Sequence, residues 1–275
     1  MSGHKRCREH VFVLLSVLLI SALEYQSGRA EDVSSAKFAY ESEVDYCRKA
    51  EAKPIALSDD RRILCFDGWI TPDLDISSME GLEQAGLFIV RSFGGSVEKA
   101  IALANLLHDR HARVIVYDYC NSACANYLFI ASELTFVRRH SIVVWHNGDS
   151  GLRDCFQFEP SGDNGPPSLK KSPCPDVPIE AKAQHWQVAA LRDRFLKERT
   201  IASGFDPPES FHVRKILKNM LDAAGVFPDV GWMWNPRHYR NVLKTKVSYE
   251  AYPESQDEVD EIVARFHFRR VIYDP

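Results

Sequence analysis

Two short apolar runs in the middle of the chain are separated by a helical pattern, and this alternation is the feature that most constrains the fold. Residues 87–91 form a short, β-branched and apolar run that Gly94 and Gly95 end. The apolar residues that follow recur at helical spacing on one face: Val97, Ile101, Ala104 and Leu107. Residues 114–117 are then apolar on both faces, as in a covered parallel strand. This order predicts an α/β fold with a mainly parallel sheet.

Further elements extend this pattern in both directions. Residues 123–131 are apolar nearly all round, which predicts a buried helix. Residues 147–178 are rich in proline and glycine, which predicts a loop without regular structure. The remaining predicted strands lie at residues 63–70, 134–137, 142–145 and 266–273. The remaining predicted helices lie at residues 179–203, 209–224 and 236–243.

The first thirty residues have the features of a secretory signal peptide. A basic start precedes an apolar run at residues 11–23, and the small residues Gly28 and Ala30 stand where a signal peptidase would cut. The run is shorter than the roughly 20 residues that span a bilayer. We therefore expect residues 1–30 to be cleaved and the protein to be periplasmic or secreted. An uncleaved amino-terminal anchor is the alternative.

The mature chain divides into three predicted parts. A leader is expected at residues 31–60, an α/β domain at residues 61–245 with the insertion 147–178, and a carboxy-terminal tail at residues 246–275. The whole chain has 34 basic and 38 acidic residues, and removing residues 1–30 leaves 30 and 36, a net charge of −6. This mildly acidic balance, without a basic block, argues against a nucleic-acid partner.

Six cysteines remain once Cys7 leaves with the signal peptide, and an even number in an exported chain predicts disulfides. Cys155 and Cys174 bracket the proline-rich insertion and form the first expected pair. A bridge there would stabilise the fold by roughly 3 kcal/mol. Cys47 and Cys65 are the second expected pair.

Two interpretations compete for Cys120 and Cys124. We favour small, buried packing residues, and a local disulfide is the alternative. In a helix their Cα atoms would lie roughly 6 Å apart, inside the disulfide range, although side-chain directions often oppose closure.

Three features have the order expected of an acyl-transfer site. Gly94 and Gly95 end a strand where backbone N–H groups could bind an oxyanion. Ser122 follows 27 residues after Gly95, at the start of the predicted buried helix, and the N–H of Ala123 has no partner within that helix. His146 follows after another 24 residues and ends a strand. Together they supply a nucleophile, a base and oxyanion donors.

Simpler interpretations exist for each feature taken alone. Ser122 suits a helix N-cap, a glycine pair suits a turn, and His146 suits a structural histidine. His108 and His111 flank a helix end and are interpreted as solvated residues. The chain contains neither Cys-x-x-Cys nor His-Glu-x-x-His. The sequence therefore predicts no metal and no other cofactor.

The ordered set resembles the ClpP fold of the ClpP/crotonase superfamily, most closely its exported, stand-alone type with cysteines around the serine. The matching stretches are residues 63–68, 91–96, 120–124 with the helix after them, and 143–146. The resemblance implies a spiral of strand–helix units with a mainly parallel sheet and extra carboxy-terminal helices. It also implies Ser122 as nucleophile, His146 as base, and Gly95 with the N–H of Ala123 as oxyanion hole. A peptide or protein substrate follows, and a homo-oligomer is allowed.

The departures from that family affect the third catalytic residue and the partners. The insertion after His146 displaces the acid, for which Asp229 is the first candidate, Asp222 the second and Asp193 the third. ATP is absent from the compartments that an exported protein reaches, so no ATP-driven unfoldase is expected as a partner. The non-enzyme alternative is a catalytically inactive binding or scaffold protein of the cell envelope.

Other mechanisms fit the sequence less well. A Ser–Lys dyad would need Lys99, which points along a helix. A crotonase-type enzyme would need acyl-CoA, which is cytosolic. An α/β-hydrolase would need Gly-x-Ser-x-Gly, which residues 120–124 do not supply.

Overall fold

A computed structural model describes much of the chain between Tyr40 and Pro275. The described residues are 40–50, 54–146, 155–159, 168–172, 179–200, 213, 215–216, 219, 230–239, 242–266, 268 and 270–275. The predicted signal peptide lies wholly outside them, residues 31–39 and 51–53 of the predicted leader do too, and the predicted helix at residues 209–224 lies largely outside them. Ser42–Pro275 forms one compact unit. No helix among the described residues is long and apolar enough to cross a bilayer.

The strands form one large sheet and two small ones. Their bounds are β1 Ile55–Leu57, β2 Ile63–Ile70, β3 Leu87–Gly95, β4 Arg113–Asn121, β5 Leu134–Val137, β6 Ile142–Val144, β7 Cys155–Glu159, β8 Ser168–Ser172, β9 Gly231–Trp234, β10 Lys246–Tyr249 and β11 Val271–Asp274. The large sheet has the order β1-β2-β3-β4-β5-β10, and β6 also pairs with β4. β1 is antiparallel to β2, whereas β2 to β6 and β10 pair in parallel. The prediction of an α/β fold with a mainly parallel sheet is confirmed.

Strand β4 divides the large sheet at its carboxyl end. Its first half pairs with β5 at Val114 to Val116, and its second half pairs with β6 at Tyr119 to Asn121. Between the two halves Asp118 has a φ of 57°, a left-handed conformation that non-glycine residues rarely adopt. The change of direction at Asp118 turns the end of β4 from β5 towards β6.

The helices have bounds that agree only in part with the prediction. They are α1 Glu41–Lys49, α2 Val97–Asp109, α3 Ile179–Arg199, α4 Pro236–Tyr239 and α5 Gln256–Arg265, with a 3-10 turn at Ser77–Met79 and a π-helix at Cys124–Leu128. α2 begins at the expected place because Ser96 caps it, its Oγ accepting from the Lys99 N–H. Ile101, Ala104 and Leu107 are buried as predicted.

The buried helix predicted at residues 123–131 is confirmed, but it is shorter than expected and is a π-helix at Cys124–Leu128. The Phe129 N–H donates to the carbonyl of Cys124, five residues earlier, so the turn is wider than an α-helical one. Four of its five residues are buried: Cys124, Ala125, Tyr127 and Leu128. An all-apolar pattern fixes burial but not which carbonyl each N–H reaches.

The large hydrophobic core lies between the sheet, α2 and the π-helix, and a second cluster surrounds β6, β9, β11 and α5. On the amino-terminal side, a disulfide from Cys47 in α1 to Cys65 in β2 ties the first helix to the sheet, with Cα atoms 5.4 Å apart. This expected pair is confirmed.

The expectation that residues 147–178 lack regular structure is wrong. β7 and β8 form an antiparallel hairpin within them, with Cys155 opposite Ser172. The alternation in Cys-Phe-Gln-Phe-Glu at residues 155–159 was the signal, and the surrounding prolines and glycines obscured it. The bond between Cys155 and Cys174 stays a prediction, because Cys174 lies outside the described residues.

The hairpin register gives this prediction a structural basis. Ser172 precedes Cys174 by two residues, so the strand pairing brings the chain close to Cys155. We expect non-reducing peptide mapping of the purified, unreduced protein to recover one peptide pair joined through Cys155 and Cys174. Recovery of both as free thiols would contradict it. The confirmed Cys47–Cys65 bond is the internal control for the mapping.

The carboxy-terminal elements differ most from the prediction. β10 and α5 were not predicted, the strand expected at residues 266–273 is confined to β11, and the helix expected at residues 236–243 is confirmed only over α4. β10 extends the large sheet beyond β5, and β11 pairs in parallel with β9. The expected boundary at residue 246 therefore falls where a strand of the large sheet begins.

Glu250, directly after β10, holds the turn between β5 and β6. Its carboxylate is 3% exposed and pairs with Arg138 Nε at 2.9 Å and Arg139 Nη2 at 2.5 Å. Burial alone would raise the pKa of Glu250, but the hydrogen bonds from Arg139 and the charge of Arg138 outweigh it, so the pKa lies below the ordinary 4.5. A depressed pKa means that this stabilisation is present above pH 4.5 and is lost as the pH falls through the folded-state pKa.

We expect Glu250→Gln to lower the free energy of unfolding at pH 7 by about 3 kcal/mol, because two arginines lose their buried partner. Urea titrations from pH 7 down to pH 3 measure this. The variant should lose less stability than the parent over the acid part of that range. Glu254→Gln, a change at an exposed carboxylate nearby, is the control. Equal effects of the two substitutions would contradict the assignment.

Candidate functional site

The end of β3 is held in place by a buried serine that the sequence analysis did not single out. Ser92 is fully buried, its Oγ donates to the Gly68 carbonyl at 2.7 Å, and the same oxygen accepts from the Gly94 N–H at 3.0 Å. The Ser96 N–H donates to the Ile70 carbonyl at 2.7 Å. The one signal in the sequence is a polar residue in register with the buried Phe88 and Val90 of the same strand.

Gly94 packs directly against the residue proposed as nucleophile. A Cβ placed on Gly94 would lie 2.5 Å from the Asn121 carbonyl oxygen and 2.7 Å from both the Ala123 nitrogen and the Ser122 Cβ. The backbone φ at Gly94 is also 88°, in the left-handed region. Only glycine fits both conditions, so this close approach of β3 to the end of β4 requires Gly94.

Ser122 stands at a sharp turn between β4 and the π-helix. Its φ is 56°, which costs an L-residue roughly 1–2 kcal/mol and persists only where the surroundings impose it. Its N–H donates to the Val144 carbonyl at 3.0 Å, and its own carbonyl accepts from the Asn126 N–H at 2.9 Å. These bonds fix the serine beside Val144, the last residue of β6. Val144 precedes His146 by two residues in the sequence.

His146 directly follows a fixed point of the backbone. Trp145 and Trp232 exchange hydrogen bonds of 2.9 and 2.7 Å in an antiparallel bridge, and Trp145 stacks on Trp234. His146 is partly buried. Both Ser122 and His146 belong to the described residues, and no hydrogen bond joins their side chains there.

A disulfide joins Cys120 and Cys124 on either side of Ser122, so the favoured interpretation of two free packing residues is wrong. Both cysteines are fully buried, and their Cα atoms are 5.2 Å apart. The helix geometry assumed from the sequence does not apply, because Cys120 is the next-to-last residue of β4, Cys124 begins the π-helix, and the chain turns at Ser122 between them. The bond closes a short loop around the serine.

If Ser122 is the nucleophile that the sequence predicts, Cys120→Ala/Cys124→Ala should lower the rate of hydrolysis by about tenfold, since the serine and the Ala123 N–H lose a constraint on their positions. The expected loss of stability is about 2 kcal/mol. Cys47→Ala/Cys65→Ala is the control: its longer loop should cost about 3 kcal/mol of stability while activity in the folded fraction stays unchanged. Turnover and urea unfolding measure the two effects. Activity of the Cys120/Cys124 variant equal to the parent's would leave the bond without a catalytic role.

Two carboxamide oxygens flank the serine and are buried without a hydrogen-bond partner among the described residues. They are Oδ1 of Asn121 and Oδ1 of Asn126. Buried acceptors are normally satisfied, so two unsatisfied ones this near to Ser122 in the chain are unusual. Sequence reasoning passed over both, because asparagine next to a turn is ordinary.

Of the three candidates for the acid of the triad, only Asp193 lies among the described residues. Asp193 lies in α3, where its side chain is 62% exposed and 3.5 Å from Arg192. Asp229 and Asp222 lie outside the described residues. On the strands that carry the site, Asp67 and Asp118 both pair with Arg91, which raises the pKa of that guanidinium, chiefly through Asp67.

Lys99, the base that a Ser–Lys dyad would need, is hydrogen-bonded to another part of the chain. No cluster of side chains among the described residues suits a metal ion. Lys99 Nζ donates to the Leu74 carbonyl at 3.0 Å. Burial raises the pKa of Tyr119, beside Cys120 on β4, to about 12, so its phenol is protonated at neutral pH. No group of three or more His, Cys, Asp or Glu residues within the described ranges is arranged to hold a metal ion.

Comparison with known proteins gives little beyond the motifs. No protein-family model matches the chain, and no curated protein matches it. Among solved structures, a mutant of ClpP1 from Listeria monocytogenes aligns at 15% identity over 50% of this chain and 70% of its own, with a TM-score of 0.31. A likeness of this size does not establish a shared fold or a shared activity.

Proposed function

We propose that this protein is an exported serine hydrolase of ClpP-like fold that cleaves peptide bonds. The observation that carries the proposal is the contact of Gly94 with Ser122 and the Ala123 nitrogen. It unites two parts of the predicted site that lie far apart in sequence. The left-handed backbone of Ser122 supports the same proposal, because conformations of this kind concentrate at active sites.

In the proposed mechanism Ser122 Oγ attacks the substrate carbonyl while His146 takes the hydroxyl proton. The oxyanion that forms accepts hydrogen bonds from the Gly95 and Ala123 N–H groups. Gly94 N–H is committed to Ser92 Oγ and Ser96 N–H to the Ile70 carbonyl, which leaves Gly95 as the donor of this turn.

The reaction is then completed in two stages, which are formation of an ester on Ser122 and hydrolysis of that ester. Collapse of the oxyanion expels the amine, which takes the proton from His146, and leaves an ester of Ser122. Water attacks this ester with His146 again as base, and the acid product leaves as Ser122 regains its proton.

Asp229 is the proposed partner of His146. Trp145, directly before the histidine, pairs with Trp232, which follows Asp229 by three residues. Asp193 is the weaker candidate because its carboxylate is exposed on α3. In the proposed role the carboxylate orients the imidazole and stabilises its protonated form.

Export is supported by the two disulfides. Such bonds form and persist in oxidising compartments and are rare in the cytosol. The amino-terminal sequence supplies the proposed route, a cleaved signal peptide leading to the periplasm or to secretion.

The alternative function is a catalytically inactive binding or scaffold protein, and one observation favours it. No hydrogen bond joins Ser122 to His146, although both are described. In active enzymes this bond often tightens only when substrate binds. A test must therefore be made with substrate present.

The proposal is tested by incubating purified protein, with its disulfides intact, with a peptide mixture of diverse sequence. Mass spectrometry should detect new termini that arise from cleavage of peptide bonds. Ser122→Ala protein should produce none, whereas Ser248→Ala, at an exposed serine of β10, should cleave like the parent. A folded parent protein that leaves the whole mixture intact would favour the scaffold alternative.

A further inference from the structure

A cavity of about 490 Å³ opens at the carboxyl end of α3, between the starts of β5 and β10. Three cationic side chains line it: Arg199, Lys244 and Lys246. The backbone fixes their relative positions, since Thr200 forms an antiparallel bridge with Leu243 and the Lys244 N–H donates to the Arg199 carbonyl. None of these residues takes part in the proposed catalysis.

Arg199 is a nearly buried cation with too little negative charge around it. Its side chain is 13% exposed, and its Nε is buried without a hydrogen-bond partner among the described residues. The other polar contacts of the guanidinium are long, 3.4 Å to the Asn105 amide oxygen and 4.0 Å to the Glu198 carboxylate, and its central carbon lies over the Phe195 ring, 5.4 Å from the ring centroid. Burial lowers the pKa of Arg199 and outweighs the opposing charges of Glu198 and Asp109, the direction expected of a cation that has lost water without gaining a close anion.

The two lysines also keep hydrogen-bonding capacity. Lys244 Nζ donates to the Glu198 carbonyl at 2.7 Å, which uses one of its three donors. Lys246 is exposed at the first position of β10, and its ammonium contacts no acceptor in the described part of the chain. Both can therefore turn towards an anion in the cavity.

The carboxylates of the cavity do not neutralise these cations. Glu133 is exposed, and Glu198 is 53% exposed and no closer than 4.0 Å to Arg199. His108 also lines the cavity. A carboxylate that is 53% exposed and 4.0 Å away is largely screened by solvent, so it contributes little to neutralising Arg199.

We propose that this cavity is a binding site for a phosphate group, held by Arg199, Lys244 and Lys246. A guanidinium fork and two ammonium groups suit a dianion with three terminal oxygens better than a carboxylate, which has two. The cavity is far larger than an inorganic ion, so the natural ligand is a small phosphorylated molecule or a phosphorylated group on a larger one. Ser122 does not line this cavity, so the phosphate site can be tested independently of the hydrolase proposal.

The test is isothermal titration calorimetry of the full protein with inorganic phosphate, at ionic strength held constant with sodium chloride. We expect saturable binding of one phosphate per chain. Lys246→Ala and Arg199→Lys should each weaken it by about tenfold, the first by removing a charge and the second by removing the fork. Lys197→Ala is the matched control, because Lys197 is exposed on the same helix outside the cavity, and its affinity should stay within about twofold of the parent's.

Three outcomes would overturn the proposal. They are heats no larger with phosphate than with chloride, acetate binding as tightly as phosphate, and equal affinities of the Lys246→Ala and Lys197→Ala variants. If Arg199→Lys fails to fold, the exposed Lys246→Ala still decides between the two results.

Discussion

Ser122→Ala should abolish peptide hydrolysis, with a fall in turnover of about 10⁴-fold or more, because no other group replaces the attacking oxygen. The residual rate would come from the oxyanion donors and binding alone. Turnover of a cleaved peptide, measured under saturating conditions, gives the ratio. Ser248→Ala should retain the parent's turnover.

A second substitution separates loss of the nucleophile from loss of the fold. Ser122→Gly removes the hydroxyl and also relieves the left-handed backbone at φ 56°, which glycine adopts without a Cβ penalty. We expect its free energy of unfolding to equal the parent's or to exceed it by about 1 kcal/mol, while activity is lost. A stable and fully active Ser122→Gly protein would rule out the proposed nucleophile.

Gly94→Ala should reduce both stability and activity, and its effect on stability should be the largest of the glycine substitutions compared here. The new Cβ would meet backbone atoms of Asn121 and Ala123 that cannot rotate away. With the strain at φ 88° added, we expect a loss of about 3 kcal/mol in the free energy of unfolding. Displacement of the Ala123 N–H should lower turnover of the remaining folded protein by about 100-fold.

Alanine substitutions at two other glycines separate the effect of a positive φ from the effect of a clash between the added Cβ and the backbone. Gly68 has a positive φ of 147°, but an added Cβ would meet nothing closer than 3.7 Å. Gly81 would meet only the flexible ends of Leu57 and Arg61, at a backbone without positive φ. We expect alanine at either position to cost about 1 kcal/mol and to leave turnover unchanged. A Gly94→Ala protein as active as these controls would show that the contact has no role in catalysis.

The fold was predictable where each element follows from its own residues. β2 and β5 match their predicted ranges, and α2 begins where Ser96 caps it. The hairpin of β7 and β8 was missed because its alternation is short and surrounded by prolines. β10 was missed because the alternation in Lys246–Tyr249 covers only four residues, and its place in the sheet depends on pairing with β5, far away in sequence.

The candidate site shows the same division between local and long-range information. The order of Gly95, Ser122 and His146 in the sequence was enough to propose their roles. It did not reveal that Gly94 is the residue in contact with Ser122, or that Ser92 holds this turn. Those contacts arise because β3 and β4 lie side by side, a relation that no local pattern contains.

Covalent labelling tests the central claim most directly. The purified protein, with both disulfides intact, is treated with a fluorophosphonate, and the adduct is located by mass spectrometry of its peptides. The account predicts one adduct per chain, on Ser122, absent from the Ser122→Ala protein and retained by Ser248→Ala. A folded protein that forms no adduct, or forms it at another serine, would contradict the assignment of Ser122 as nucleophile.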